Sequence, residues 1–294
     1  MNESPSPLLY ATSQRSGKTR ILTSLVVIVP VFSLLALGGP FLKFMLLVPP
    51  VIIMLEWSLM ALGKNQNESA ANAVSGLLVA SVLSVALVVF LAVLGFYRES
   101  VAVLILGACG ALVFARLKGK ERNRQLWVWP VGMIYAALPY IAAAHLVARY
   151  DFGLYLLLAI MGAVWCGDIG AYYSGKRYGD GPLPIVGWIS PKKSWQGLLG
   201  GLLAGSLGFI YFLIYTPLPL VLAVIAPLVS LVAHFGDLIE SLIKRMFNRK
   251  DSGVLLPGHG GLMDRMDGFA LLVPSMQIAL LMGASDLVLG QIAA

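Results

Sequence analysis

The 294-residue sequence is dominated by apolar runs of about 20 residues, which short polar segments separate. A helix needs about 20 mostly apolar residues to cross the hydrocarbon core of a membrane. The bilayer offers no water to backbone N–H and C=O groups, so a spanning segment of this length satisfies them within a helix. The runs therefore predict an all-α, polytopic integral membrane protein with about nine transmembrane helices. The predicted spans are roughly residues 21–38, 41–62, 74–96, 101–115, 126–147, 152–174, 198–215, 217–235 and 268–290.

Composition excludes several functional classes. Hydrophobic residues make up 59% of the chain and charged residues 12%, whereas an average soluble domain has about 45–50% and about 25%. Too little polar surface remains to cover a globule in water, which argues against a soluble enzyme, a disordered protein and a nucleic-acid partner. Cys109 and Cys166 both lie in apolar runs and indicate neither a disulfide framework nor a zinc site.

The basic residues predict the orientation. If the N-terminus lies in the cytoplasm and the spans alternate, 18 of the 21 lysines and arginines fall on the cytoplasmic side. Lys43, Arg98 and Arg149 remain on the other side, a bias that agrees with the positive-inside rule. We therefore predict a cytoplasmic N-terminus. The predicted regions are the N-terminal transmembrane helices at residues 1–125 and a C-terminal region at residues 126–294, with cytoplasmic loops at 175–197 and 236–268.

Acidic residues are rare inside membranes and are usually functional there. In the second half of the chain, six of the 14 acidic residues gather on the predicted cytoplasmic side, close to six basic residues. Acids and bases at one depth indicate a site that holds a metal ion and binds anions. These residues are Asp168, Asp237, Glu240, Asp251, Asp264, Asp267, Lys192, Lys193, Lys244, Arg245, Lys250 and Arg265.

The segment from His234 to Lys244 has the spacing of an amphipathic helix. Asp237, Glu240 and Lys244 are three or four residues apart, so on a helix they share one face. An interfacial turn with an ordinary Glu240–Lys244 ion pair explains this spacing equally well, and such a pair contributes only about 0.3–0.5 kcal/mol. This segment alone therefore leaves a functional and a structural interpretation open.

The glycine-rich stretch from residue 250 to residue 267 favours a functional site. Gly260 and Gly261 could present backbone N–H groups to phosphate oxygens. Asp264 and Asp267 are three residues apart, so on a helical turn both carboxylates would face the same way. Two such carboxylates suit Mg²⁺, which leaves its other positions to water and substrate phosphate. Arg265 would then point towards a phosphate or an acidic neighbour.

A second polar loop, between residues 168 and 197, lies on the same predicted side. Lys192 and Lys193 can neutralise phosphate charge, while Trp195 could stack on a base or anchor its helix at the membrane interface. A stripe of small residues at the end of this loop favours close helix packing, within the chain or between the protomers of a possible homodimer. The stripe consists of Gly197, Gly201 and Gly205.

Taken together, these motifs resemble the signature of the phosphatidate cytidylyltransferases, or CDP-diacylglycerol synthases. The matching residues are Ser241-x-Ile243-Lys244-Arg245-x4-Lys250-Asp251-x-Gly253-x2-Leu256-Pro257-x-His259-Gly260-Gly261-Leu262-x-Asp264-Arg265-Met266-Asp267. Two further stretches are similar to that family, namely Asp168-x-Gly170-Ala171-Tyr172 and Ser190-Pro191-Lys192-Lys193. The chain departs from the family's common Thr-Trp-Glu-Gly, because Gln196 replaces the glutamate.

The resemblance implies that CTP and phosphatidic acid react to CDP-diacylglycerol and pyrophosphate, with Mg²⁺ as cofactor, at the cytoplasmic face of the inner membrane. It implies Asp264 and Asp267 as metal ligands, with Asp237 at a second site. The residues that it implies for catalysis and for holding phosphates are Lys244, Arg245, Lys250, Asp251, His259 and Arg265. Those that it implies for substrate binding are Asp168, Ser190, Lys192, Lys193, Trp195, Gly260 and Gly261.

Three alternatives stay open from the residues alone. A paralogue could act on another lipid phosphate, which the lost carboxylate at Gln196 would favour. A CTP-dependent polyprenol or phytol kinase would phosphorylate an alcohol and release CDP instead of pyrophosphate. A transporter would place acidic residues in the middle of spans. Glu56, in the second predicted span, is the acidic residue of that kind, and it stands alone in the sequence.

Overall fold

The computed structural model describes residues 39–62, 68–117, 127–184, 186–187, 189–190, 193–253, 255 and 260–284. This part of the chain folds into helices, and eight of them are long and apolar enough to cross a membrane. The long helices are α1 (Gly39–Leu62), α2 (Glu68–Val93), α3 (Tyr97–Leu117), α4 (Val128–Arg149), α5 (Gly153–Tyr178), α6 (Trp195–Ile214), α7 (Ala226–Met246) and α8 (Asp267–Ala279). The short elements are 3₁₀ helices at Leu220–Ile225 and Met263–Arg265 and a π turn at Leu280–Ala284. The first of these extends the span of α7 to Leu220–Met246, and the π turn extends the span of α8 to Asp267–Ala284.

Eight of the nine predicted spans are confirmed as long helices. The remaining one, residues 21–38, lies outside the described residues. The predicted end of the eighth span at residue 235 is wrong, because α7 continues to Met246. Its last three turns keep an apolar face while the other face carries the charged residues, so average hydropathy falls although the helix does not end. The predicted loop 236–268 therefore begins as helix.

Helices α5 and α6 form the most extensively packed pair of the described elements. A Cβ atom on Gly170 would lie 2.5 Å from the carbonyl oxygen of Gly200, and one on Gly208 would lie 2.5 Å from the carbonyl oxygen of Gly162. Two helix backbones approach this closely only where side chains leave room. Glycine therefore sets the distance between these helices.

The predicted stripe of small residues faces other helices of the same chain. The hydroxyl of Ser230, on α7, donates to the carbonyl of Gly201 at 3.2 Å. A Cβ atom on Gly205 would lie 2.8 Å from the carbonyl oxygen of Ala163, on α5. The stripe is thus used for packing within the chain, which was one of the two interpretations that the sequence allowed.

Helix α4 joins the two halves of the bundle. It packs against α1, α2 and α3 on one side and against α8 on the other, and it is the most buried of the eight spans. On α1, the Trp57 side chain is 2% exposed, and its indole N–H donates to the carbonyl of Val128 at the start of α4 at 2.8 Å. The outer helices α2 and α3 expose large apolar side chains such as Leu83 and Leu106, as lipid contact requires.

Candidate active site

The polar residues of the second half meet around a cavity of about 380 Å³ at one end of the bundle. The ends of α5 and α7 and the beginnings of α6 and α8 form its walls, so residues far apart in sequence face one another. Its polar lining consists of Asp168, Lys193, Ser194, His234, Asp237, Lys244, Asp251, Asp264, Arg265 and Asp267. A cavity of this charge composition can neutralise and orient anionic groups.

Three carboxylates form a compact group beside the cavity. Asp237 and Glu240 lie one turn apart on α7, and Asp267 is the first residue of α8. One oxygen from each lies within 4.8 Å of the others. Glu240 is fully buried, and its Oε1 has no hydrogen-bond partner among the described residues. Clustered carboxylate oxygens with a buried, unpartnered acceptor fit a hard divalent cation such as Mg²⁺.

Lys244 connects this group to the loop that precedes α8. Its Nζ lies 2.8 Å from Glu240 Oε2 and donates to Asp264 Oδ1 at 2.7 Å. The predicted polar face of α7 is confirmed, since Glu240 and Lys244 lie on it four residues apart. The Glu240–Lys244 ion pair is almost entirely buried, in contrast to the interfacial pair that the structural interpretation assumed.

Asp264 organises its own loop. Its Oδ2 accepts hydrogen bonds from the amides of Ser252 and Gly261, at 2.9 and 2.8 Å, and from the Ser252 hydroxyl at 3.0 Å. Burial would raise the pKa of this carboxyl, but the Lys244 ammonium and the donors from Lys244 and Gly261 hold the pKa below its ordinary value. Asp264 is therefore an anion held by its surroundings.

Asp264 and Asp267 have different neighbours although they are three residues apart. The 3₁₀ turn ends at Arg265, and α8 begins at Asp267, so the two residues belong to different helical elements. The Asp267 Oδ1 accepts from the amide of Gly268 at 2.7 Å and the carboxylate belongs to the group with Asp237, whereas Asp264 turns to Lys244. The assignment of both as metal ligands stays a prediction.

The loop before α6 is fixed on the same cavity. Lys193 Nζ lies 2.6 Å from Asp237 Oδ2, so this loop reaches α7. The Ser194 hydroxyl caps α6 by accepting from the amide of Gly197 at 3.1 Å. The side chain of Gln196 accepts weakly from the amide of Asp180, at 3.5 Å, on an exposed part of the surface. Gln196 is thus placed outside the cavity lining.

The structure gathers about half of the predicted site residues. Those that line the cavity are Asp168, Lys193, Asp237, Lys244, Asp251, Asp264, Arg265 and Asp267. Those that are described but lie outside its lining are Ser190, Trp195, Arg245, Lys250, Gly260 and Gly261. Lys192 and His259 lie outside the described residues.

Two of the predicted residues outside the lining have clear partners within the chain. Arg245 Nε donates to the carbonyl of Ile189 at 2.9 Å, and its Nη1 donates to the carbonyl of Arg249 at 3.1 Å. The amide of Gly261 donates to Asp264, while Gly260 has a φ of 85°, which glycine adopts without strain. In this geometry Gly260 and Gly261 shape the loop before α8, and Arg245 binds the loop before α6. The predicted contacts of these three residues with substrate stay predictions.

Sequence reasoning missed two parts of the site. Glu240 is one of the gathered acids in the sequence but not one of the predicted metal ligands, although it belongs to the carboxylate group. Glu56 does not stand alone, as the sequence suggested, because its carboxylate accepts from the amides of Leu262 and Met263 at 2.8 Å each. An acidic residue inside an apolar run is costly unless it has partners, and this cost was the signal that could have revealed Glu56.

A protein-family model and several curated proteins match this sequence. The model described as "Cytidylyltransferase family" matches residues 18–282. A phosphatidate cytidylyltransferase of Brucella suis biovar 1 is 39% identical over 159 residues, which cover 53% of this chain and 57% of that protein. One from Staphylococcus aureus strain COL is 40% identical over 132 residues, which cover 44% and 50%. The chain therefore spans about half the length of the curated relatives it matches.

Proposed function

The chain belongs to the cytidylyltransferase family, and on this premise we propose that it transfers the cytidylyl group of CTP to phosphatidic acid, giving CDP-diacylglycerol and pyrophosphate. The observation that carries the proposal is the cavity of mixed carboxylates and cations at one end of a bundle of membrane helices. A water-soluble nucleotide and a lipid phosphate can meet at such a place. The names of the relatives from Brucella suis and Staphylococcus aureus support this choice of acceptor.

The proposed reaction is an in-line displacement at phosphorus. A phosphate oxygen of phosphatidic acid bonds to the α-phosphorus of CTP, and the bond from that phosphorus to the oxygen bridging to the β-phosphate breaks. Both the nucleophile and the leaving pyrophosphate are strongly anionic. Catalysis therefore consists mainly of neutralising charge and holding the two phosphates in line.

We propose two different roles for the three cations that line the cavity. Lys244 lies between Glu240 and Asp264, so its charge is already balanced and it orients these carboxylates. Lys193 and Arg265 are the cations of the cavity lining that we propose to bind substrate phosphate. For Lys193, phosphate binding would replace its ion pair with Asp237, which would leave that carboxylate to a metal ion.

We propose that Mg²⁺ is held by Asp237, Glu240 and Asp267, whose oxygens have the required proximity. Asp264 adjoins this group, and its Oδ1 keeps a lone pair beside the one that Lys244 occupies. Bound there, the ion would neutralise charge on the phosphate oxygens during transfer. The protein groups supply the rest, since they fix the carboxylates and exclude solvent from the buried side of Glu240.

The orientation of the site is also a proposal. We propose that the cavity faces the cytoplasm at the inner membrane of a bacterium, because the positive charges of the chain favour that side and because CTP is made there. A homodimer receives no support from the glycine stripe, whose Gly201 and Gly205 pack within the chain.

A product assay with two labels tests the proposed function. Purified protein in detergent micelles receives phosphatidic acid, Mg²⁺ and CTP labelled either at the α- or at the γ-phosphate. Cytidylyl transfer puts the α-label into the lipid and the γ-label into pyrophosphate. A kinase would put the γ-label into the lipid when an alcohol acceptor is supplied. Absence of α-label from the lipid, with a folded preparation, would refute the proposed reaction.

Matched variants connect the activity to the site. Asp267→Asn removes a charged member of the carboxylate group, and we expect the rate to fall by about 10²–10³-fold. Asp151→Asn makes the same change at an exposed residue between α4 and α5, and the rate should not change. Equal activity of both variants would separate the reaction from this cavity.

A further inference from the structure

We propose that Glu56, on α1, is a positioning residue that holds the loop before α8 and thereby fixes the charged groups of the cavity. The inference deepens the proposed function, on which its kinetic test rests. Glu56 lies about 200 residues before this loop in sequence and is not among the residues that line the cavity. The N-terminal helices would thus contribute to the active site through one side chain.

Both carboxylate oxygens of Glu56 bind the loop. Oε1 accepts from the amide of Leu262, and Oε2 accepts from the amide of Met263, each at 2.8 Å. Oε2 also lies 3.1 Å from the Ser252 hydroxyl. These amides open the 3₁₀ turn Met263–Arg265, where the first N–H groups have no partner within the turn. The carboxylate therefore caps the turn from another helix.

The glycines of the loop make room for this carboxylate. A Cβ atom on Gly261 would lie 2.5 and 2.6 Å from the two oxygens of Glu56, and one on Gly253 would lie 2.9 Å from Oε1. Real Cβ atoms do not approach oxygen so closely, so both positions exclude a side chain while Glu56 is in place. The loop is thus built around Glu56, which is 5% exposed.

Ser252 carries the effect from Glu56 to the cavity. Its hydroxyl lies 3.1 Å from Glu56 Oε2 and 3.0 Å from Asp264 Oδ2, and it has one proton to donate between them. Asp264 binds Lys244, which in turn contacts Glu240 in the carboxylate group. A continuous series of contacts therefore runs from α1 to the proposed metal ligands.

Helix α1 is itself firmly placed at this point. The neighbouring Trp57 donates to the carbonyl of Val128, and its ring packs against Tyr135 and Phe247 with centroids 5.6 and 5.8 Å away. A Cβ atom on Gly132 would overlap the Trp57 ring. Glu56 therefore projects from a part of α1 that the contacts of Trp57 hold in place, which is what a positioning residue requires.

Glu56→Gln is the sharpest change, because glutamine has the same size but offers one acceptor oxygen. Its NH₂ group would face either the Leu262 amide or the Met263 amide, donor against donor. The loop would relax, Asp264 and Lys244 would move, and we expect kcat to fall about tenfold or more. The KM for CTP should change less than about threefold, since the groups that contact substrate remain.

The test compares four variants in the product assay and in hydrogen–deuterium exchange. Glu56→Asp keeps the charge on a shorter side chain and should recover part of the lost kcat. Ser252→Ala keeps Glu56 but removes the link to Asp264, and kcat should fall less than in Glu56→Gln. Glu99→Gln makes the same change at the exposed start of α3 and should match the wild type. Hydrogen–deuterium exchange at the Leu262 and Met263 amides should be faster in Glu56→Gln than in the wild type. It should be unchanged in Glu99→Gln.

Each outcome decides the inference. A folded Glu56→Gln protein with wild-type kcat would overturn it, as would unchanged exchange at Leu262 and Met263. If Glu56→Gln does not fold, Glu56→Asp and Ser252→Ala give the kinetic answer, and wild-type kcat in both would overturn it. If the wild type makes no CDP-diacylglycerol, the proposed function fails separately, and the exchange rates still decide whether Glu56 holds the loop.

Discussion

Helices α2 and α3 and the pair α5–α6 are all apolar spans of similar length, yet they use their surfaces differently. Of the most apolar stretches of α2 and α3, 28% and 17% are buried, against 50% for α5 and 33% for α6. The outer helices present large side chains such as Leu83 and Leu106, whereas α5 and α6 meet through Gly170 and Gly208. Apolarity places a helix in the membrane, and small residues decide whether it faces protein or lipid.

The contrast between buried and exposed surfaces also applies to charged residues. The variant with the largest predicted effect tests this contrast. Lys244→Met leaves the buried carboxylates of Glu240 and Asp264 without their cation. Removing one partner of a buried pair costs about 3–5 kcal/mol, so activity should be abolished and the SDS concentration at half-unfolding should fall clearly. Lys43→Met, at an exposed residue of α1, should change neither quantity. Similar effects of both variants would remove the distinction between the regions.

Backbone packing gives the next largest effect. Gly170→Ala places a methyl group 2.5 Å from the carbonyl oxygen of Gly200, and α5 and α6 must move apart. We expect destabilisation of about 1–3 kcal/mol, measured by reversible unfolding in mixed micelles. A Cβ atom on Gly110, in α3, meets nothing within 4 Å, so Gly110→Ala should be close to neutral. A neutral Gly170→Ala would mean that the two helices are not held by glycine contact.

The contact of Trp57 between α1 and α4 should contribute less to stability than the ion pairs of Lys244 or the glycine contact between α5 and α6. Trp57→Phe removes the hydrogen bond to Val128 and part of a buried ring, which should cost about 1–2 kcal/mol in the same unfolding assay. Trp127→Phe, at a residue that is 63% exposed, should cost less than about 0.5 kcal/mol. If both variants unfold alike, Trp57 does not anchor α1 to α4.

The smallest effect is expected at Gln196. Its side chain lies outside the cavity lining and contacts the amide of Asp180 at 3.5 Å. Gln196→Glu, which restores the family's common residue, should therefore alter kcat for phosphatidic acid less than about threefold. An increase of 100-fold would assign a carboxylate at this position to the chemistry and would favour the paralogue interpretation.

Much of the fold and part of the site could be predicted from the sequence. Apolar runs located eight of the described helices, because span length is a property of each segment alone. The spacing of Asp237, Glu240 and Lys244 gave their common face, because a helix fixes the relation between residues three or four apart. The glycines of α6 indicated close packing, which Gly201 and Gly205 show within the chain.

The remaining features depend on how helices are rotated against one another, which hydropathy does not determine. Glu56 meets Met263 across 207 residues of sequence, and no periodicity connects the two. Asp264 and Asp267 have different partners because a break of one residue, Met266, separates the 3₁₀ turn from α8. Such contacts become visible only when the packing partners of each face are known.

The position of the cavity at the helix ends has a kinetic consequence. The apolar outer faces of α2, α3 and α6 confine the protein to the membrane plane, so encounters with the proposed lipid acceptor would occur in two dimensions. The rate should then follow the mole fraction of phosphatidic acid in the membrane and fall when inert lipid dilutes it at constant total amount. The dependence on CTP should follow its concentration in bulk water. One active site would thus respond to a surface density and to a volume concentration at the same time.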